Sequence, residues 1–424
     1  MAVEITTLEN GMTVITDEMP HLKTATAGVW VDAGARHERP VQNGISHMLE
    51  HMAFKGTQRR SARDIAEEIE TVGGHLNAHT THEATAYHAR IMSSDMPLAI
   101  DILADILQHA TFDPVEIERE RGVILSEIGQ ALDTPDDLVF DHLLEAAFPG
   151  QAMGRPILGT EETVTSFDGA ALRNYLAERY HAPGMVLAGA GGVAHADLVA
   201  LAEERFAALS REKTNGMEEA HFEAGDRRTA RDLEQTHLAI AFKGVPYHDP
   251  DYYVSQLYAG VMGGGMSSRL FQEIREKRGL CYSVFSFAWS FAETGLLGFY
   301  AGASPDDVAE LLPVLAGEVT RAMDDITEEE VDRARAQIKA GLLMNLESSS
   351  SRAEQVARQY MIHGRVPDVE ELIGEVEAVD AGAVRRFARR LLRESEPAVA
   401  AVGPLGGKGG GLESRDHIAA RFIP

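Results

Sequence analysis

Apolar positions alternate with polar or small ones in short runs early in the chain and then settle into a three-to-four spacing, so strands and helices are predicted to interleave. Residues 6–15 alternate about Asn10 and Gly11, the pattern of a β-hairpin, and residues 25–33 continue with small and β-branched side chains suited to a strand. The segment ISHMLEHM has helical spacing, Gly73 and Gly74 mark a turn, and residues 76–91 return as extended structure with alternating polar positions. Helical periodicity resumes over residues 96–109. Asp113 and Pro114 then form an N-cap and first-turn pair that starts a helix carrying Ile117, Val123, Ile124, Glu127 and Ile128. Residues 170–180, 185–192 and 196–206 read helix, strand, helix.

Residues 211–231 are polar, weakly periodic and highly charged, the composition of an exposed linker. Beyond them the order repeats: a strand at 237–242, a helix at 251–261, a glycine turn at 263–265, a helix at 268–277, strands at 283–289 and 296–301, and a helix at 305–323. A long helix over 327–346 takes the place that residues 113–132 hold in the first half. Similarity at a period of about 200 residues predicts duplicated α+β domains rather than a solenoid, whose period is about 20–50 residues. The expected division is 1–210 as a catalytic domain, 211–231 as a linker and 232–424 as a homologous supporting domain.

The 424-residue length suits two cores, and 44% hydrophobic with 25% charged residues describes an ordinary folded chain. A formal charge of -27 argues against a nucleic-acid partner. It either keeps the protein soluble or attracts basic peptides. The single cysteine, Cys281, excludes an intrachain disulfide and favours the cytoplasm. Neither a secretion signal nor a membrane span is expected, because no basic and apolar leader or run of about 18 apolar residues is present.

His47, Glu50 and His51 form H-x-x-E-H, the inverted zinc-peptidase motif. On a helix these three share an arc of about 100°, while Ile45, Met48, Leu49 and Met52 cover the opposite side. Histidines at i and i+4 can direct ring nitrogens to one point, with Glu50 beside it. Catalytic zinc takes three protein ligands, and Glu127 is the candidate third, placed by its apolar neighbours on the core side of its helix, where a carboxylate needs a cation. Glu120, two turns earlier, could orient a ligating histidine. His75, His79, His82 and His88 make a second histidine-rich stretch without a matching carboxylate pattern.

With these residues in place the chain resembles the pitrilysin and insulinase superfamily, and within it the mitochondrial-processing-peptidase-like branch of bacterial zinc peptidases. GISHMLEHMAFKGT, GGHLNAHTTHEATAYHARI, ERERGVILSEI, GRPILGTEETV and GGGMSSRLFQEIREKRGLCYSV stand in family order across nearly the whole chain. The resemblance implies one Zn2+ per chain held by His47, His51 and Glu127, the last lying 76 positions after His51 as in the family. It implies Glu50 as the base, Glu120 as a partner behind the ligands, and a peptide-holding strand that includes Asn77 and Ala78. Arg269 and Tyr282 match residues that some active members bring toward the scissile bond, although Arg269 could instead pair with Glu273 at i+4. The domains are expected to close as a clamshell, and a homodimer is the expected assembly.

The expected activity is that of a zinc metalloendopeptidase on short or unstructured, basic peptides, in which Glu50 takes a proton from water and returns it to the leaving amine. The alternative is a non-catalytic scaffold or interaction subunit of the same fold. An intact metal and base set argues against it.

Overall fold

A computed structural model describes residues 3–212, 216–406 and 412–423, so residues 213–215 of the expected linker lie outside the described residues. The chain forms two compact units, Met1–Gly129 with Pro156–Glu218 and Leu343–Pro367, and Gln130–Arg155 with Glu219–Leu342 and Asp368–Pro424. Neither unit is one continuous stretch, so the division does not follow a single boundary near residue 210.

The first unit is built on β1 (Glu4–Thr7), β2 (Thr13–Glu18), β3 (Thr24–Val31), β4 (His75–Thr80), β5 (Thr85–Met92) and β6 (Met185–Gly191). Their order in the sheet is β1-β2-β6-β3-β5-β4, and only the β2–β6 pairing is parallel. The second unit carries β7 (Asp226–Ala230), β8 (Thr236–Lys243), β9 (Cys281–Ser290), β10 (Gly295–Ala303) and β11 (Ala398–Gly403) in the order β7-β11-β8-β10-β9. There only β7–β11 is parallel. Strands β2 to β6 and β7 to β11 therefore follow the same path through their sheets, which establishes the duplication and the mainly antiparallel α+β class. Strand β7 falls in the stretch read as linker. It is a sheet-edge strand whose main-chain pairing to β11 needs no apolar alternation.

Helices α1 (Ile45–Ala53), α2 (Ala62–Thr71), α3 (Met96–Gln108) and α4 (Pro114–Asp133) follow the early strands, and α5 (Pro135–Ala147), α6 (Glu161–Ser166), α7 (Gly169–Arg179) and α8 (His195–Phe206) complete the first half. The second half repeats the series from α9 (Tyr252–Gly263) through α10 (Val308–Asp325), α11 (Glu328–Asn345) and α12 (Ser349–His363). Helices α5 and α12 each pack on the sheet of the opposite half, α5 against β8 and β11, α12 against β2, β3 and β6.

This exchange explains why β6 and β11 read as continuous apolar runs: both faces of each sheet are covered. On β3, Ala25, Ala27, Val29 and Val31 face the core shared with α1 and α3. Trp30 faces the other way, where Ala353, Val356 and Ala357 of α12 meet it at helical spacing. Polar contacts fix the seat: Thr26 Oγ1 lies 3.0 Å from Ser349 Oγ, Trp30 Nε1 donates to Glu354 Oε2 at 2.9 Å, and Arg352 Nε meets Asp17 Oδ2 at 2.5 Å.

Both partners of the Arg352–Asp17 pair are buried, so removing one leaves an uncompensated charge. Arg352→Ala is expected to cost about 3–5 kcal/mol in the unfolding of the first unit. Removing an exposed pair, as in Arg63→Ala, should cost under about 1 kcal/mol. Urea unfolding of both variants checks the contrast, and equal midpoints would remove the pair from this account.

Candidate metal centre

Helix α1 buries Ile45, Met48, Leu49 and Met52 and turns His47, Glu50 and His51 to the other side, as its spacing predicted. Helix α4 runs past it. His47 Nε2 and His51 Nε2 each lie 3.6 Å from Glu127 Oε2, and the two imidazole centroids are 4.6 Å apart. Among the described residues these three form the one His, Cys, Asp or Glu group whose ligand atoms all lie within 4.8 Å of one another. Two atoms bound tetrahedrally to one zinc at ~2.0–2.2 Å stand roughly 3.4 Å apart, so the donor set fits that ion closely.

The reason for Glu127's place differs from the one the sequence suggested. Its side chain is 38% exposed, and Val123 is exposed too. What aligns it is helix geometry: Ile117, Glu120, Ile124 and Glu127 follow one stripe of α4 at spacings of three and four, and that stripe faces α1.

Glu120 is buried and engaged on both oxygens. Oε2 lies 3.0 Å from His51 Nδ1, and Oε1 lies 2.7 Å from Lys55 Nζ. Burial pushes this carboxyl up, but the bonds from Lys55 and His51 outweigh it and hold Glu120 below the usual carboxylate range. An ionised Glu120 accepts the Nδ1 proton of His51, which leaves the Nε2 lone pair toward Glu127. Burial, assisted by His51, holds His47 down at about 4, so its ring is neutral and able to ligate at neutral pH.

Glu50 sits beside the ligands. Burial raises its carboxyl, Glu127 adds to the rise, and Thr80, His51 and His79 oppose it. The Thr80 hydroxyl donates to Glu50 Oε2 at 2.6 Å, a contact between α1 and β4 that the sequence did not reveal. A carboxylate raised toward neutrality suits a general base.

Strand β4 is the outer strand of its sheet, paired with β5 on one side and with no strand of the described residues on the other. The Ala78 N–H donates to its neighbour's Asn77 Oδ1 at 2.9 Å, so it is turned away from the β5 ladder, toward the free edge.

Arg269 and Tyr282 belong to the second unit. Arg269 donates from Nε and Nη2 to Glu330 at 2.7 Å each, and it also pairs with Asp325. Glu273, the alternative i+4 partner for Arg269, is taken by Lys277 and Arg278. Tyr282 is 77% exposed, with the Arg275 guanidinium 5.0 Å from its ring centroid. No described helix is long and apolar enough to cross a membrane.

Residues 13–161 match the model of the insulinase family, peptidase family M16, and residues 166–338 match the model called the peptidase M16 inactive domain. His47, His51 and Glu127 all lie in the first of these. A protein named as an uncharacterized zinc protease in Rickettsia bellii is 37% identical, over 94% of this chain and 97% of its own. The mitochondrial-processing peptidase subunit beta of Mus musculus is 40% identical, over 95% and 84%. A chain of complex III2 from Candida albicans shares the fold with a TM-score of 0.88 at 22% identity, covering 99% of this chain and all of that one. From these matches and the fold, the chain belongs to the insulinase family of peptidases, peptidase family M16.

Proposed function

We propose that this chain is a zinc metalloendopeptidase that hydrolyses short or unstructured peptides, with one zinc held by His47, His51 and Glu127. The observation that carries this reading is the meeting of the two Nε2 atoms with Glu127 Oε2 at 3.6 Å, with Glu50 on the same face of α1. Zinc, when bound there, supplies a Lewis acid and brings the acidity of water to near pH 7. Glu50 takes the proton from the attacking water and hands it to the departing amine, while the Thr80 hydroxyl holds one of its oxygens and leaves the other to work. An extended peptide adds to the free edge of β4, where the Ala78 N–H exchanges the Asn77 side chain for a substrate carbonyl. That mode of holding selects unfolded segments, because only they offer a free strand edge.

Arg269 and Tyr282, which match residues that some active family members bring toward the scissile bond, are proposed as donors to the oxyanion formed from the substrate carbonyl. Tyr282→Phe is then expected to lower turnover by roughly 10²–10³ with thermal stability unchanged. Arg269→Ala should lower both turnover and stability, since it also releases Glu330 and Asp325. A Tyr282→Phe enzyme of wild-type rate would end the oxyanion role of that residue.

The charge of -27 predicts a preference for basic peptides that weakens as salt rises. Matched basic and acidic peptides, assayed by mass spectrometry at low and high ionic strength with and without chelator, test activity and preference together. Cleavage that is chelator-sensitive but indifferent to charge and salt would keep the peptidase and discard the basic preference. No cleavage in any arm would discard both.

A further inference from the structure

The helix that carries the metal motif has an unusual start. Its N-cap is Gly44, with φ of 92°, so the cap position offers no side chain, and the first turn contains no acidic residue. A side chain there is excluded by packing. A Cβ on Gly44 would stand 2.7 Å from the Cα of Gly159, and one on Gly159, itself at φ of 80°, would stand 2.5 Å from the Asn43 carbonyl. The GRPILGT segment thus presses its backbone against the entrance of α1, and the cap has to come from elsewhere.

It comes from Glu38. One oxygen of this 3% exposed carboxylate accepts the Gly44 N–H at 2.8 Å and the Asn43 side-chain amide at 3.3 Å, and the other accepts the Ser46 N–H at 2.8 Å. Asn43 also donates to the Pro156 carbonyl at 2.8 Å, which ties the same corner to the GRPILGT segment. The strap that bears Glu38 is fixed in turn. Ala35 and Arg36 donate their amides to the Thr81 and His82 carbonyls just beyond β4, and Arg179 of α7 donates to the His37 carbonyl at 2.8 Å.

We infer that Glu38 is a positioning residue for the metal centre: by gripping the first turn of α1 it sets the rotation at which His47, Glu50 and His51 face Glu127. The inference rests on the zinc reading above. Ser46 is the residue before His47, so a bond to its amide fixes the turn from which that ligand departs. Helix α1 has only nine residues, its apolar face fixes it against the core, and Glu38 holds its first turn, where the ionised carboxylate also suits the helix dipole. Burial pushes the Glu38 carboxyl up to about 7 against the pull of its donors.

The test uses the full zinc-loaded chain and reads zinc release to a colorimetric chelator, together with the visible spectrum of the cobalt-substituted protein. Glu38→Ala is expected to release zinc about tenfold faster than wild type, with an altered cobalt spectrum, and Glu38→Gln, which keeps one acceptor oxygen, should fall between them. Leu198→Ala, in α8 of the same unit, serves as a destabilised control and should release zinc at the wild-type rate. Wild-type release and spectrum in both Glu38 variants would overturn the inference, as would equal acceleration in Leu198→Ala. A wild-type chain that takes up no zinc would instead overturn the functional reading, a result visible before any variant is compared.

Discussion

Glu50→Gln is expected to lower peptide hydrolysis by about 10²–10⁴ while the chain keeps its zinc. The substitution preserves shape, and the amide can still accept the Thr80 hydroxyl that now meets Glu50 Oε2, so the contact between α1 and β4 survives. What disappears is the one carboxylate that α1 carries. An amide cannot take a proton from water near neutral pH. Burial has raised the Glu50 carboxyl from its ordinary value, which places the proton affinity of this group closer to the working pH than that of a solvated glutamate. Turnover and metal content are measured on one preparation. A Glu50→Gln enzyme that holds zinc and hydrolyses at near the wild-type rate would remove Glu50 from the mechanism.

His51→Ala acts one step earlier and is expected to abolish metal retention and hydrolysis together. It removes one of three ligands, and it also strands Glu120, which is buried, accepts from His51 Nδ1 and is left with Lys55 alone. Thermal unfolding offers a readout independent of activity. A metal at 100 times its dissociation constant stabilises the wild type by about 2.7 kcal/mol, so added zinc should raise its melting temperature and leave that of His51→Ala where it was. A variant whose melting temperature still rises with zinc would place the tight site elsewhere.

The parts of this site that were legible in the sequence are those encoded within one helix. H-x-x-E-H fixes the arc of His47, Glu50 and His51 by rotation alone, and the seven-residue step from Glu120 to Glu127 puts both on one stripe of α4. The expected burial of Glu127 failed because Val123 turned out to lie on the solvent side, so the apolar neighbours gave a misleading direction.

Contacts between distant segments left no local mark. Thr80 reads as one more polar residue in an alternating strand until the fold sets it against Glu50, and Glu38 reads as a loop charge until it is found on the amides of Gly44 and Ser46. The same holds for the exchanged helices. The apolar stripe of α12 is largely alanine, and nothing near residue 353 indicates that its partner is Trp30 and the β6 face more than 160 residues away. The duplication, by contrast, was legible, because each half repeats the same succession of periods; the order of the strands within each sheet was not.

On this reading hydrolysis shows a strict dependence on a single zinc at His47, His51 and Glu127. Its most direct test follows zinc content and peptide cleavage on the same wild-type sample as the metal is withdrawn by chelation and then returned. One zinc per chain is expected at full activity, with a rate that falls in proportion to the zinc removed and recovers when one equivalent is restored. Cleavage that persists in metal-free protein would contradict it.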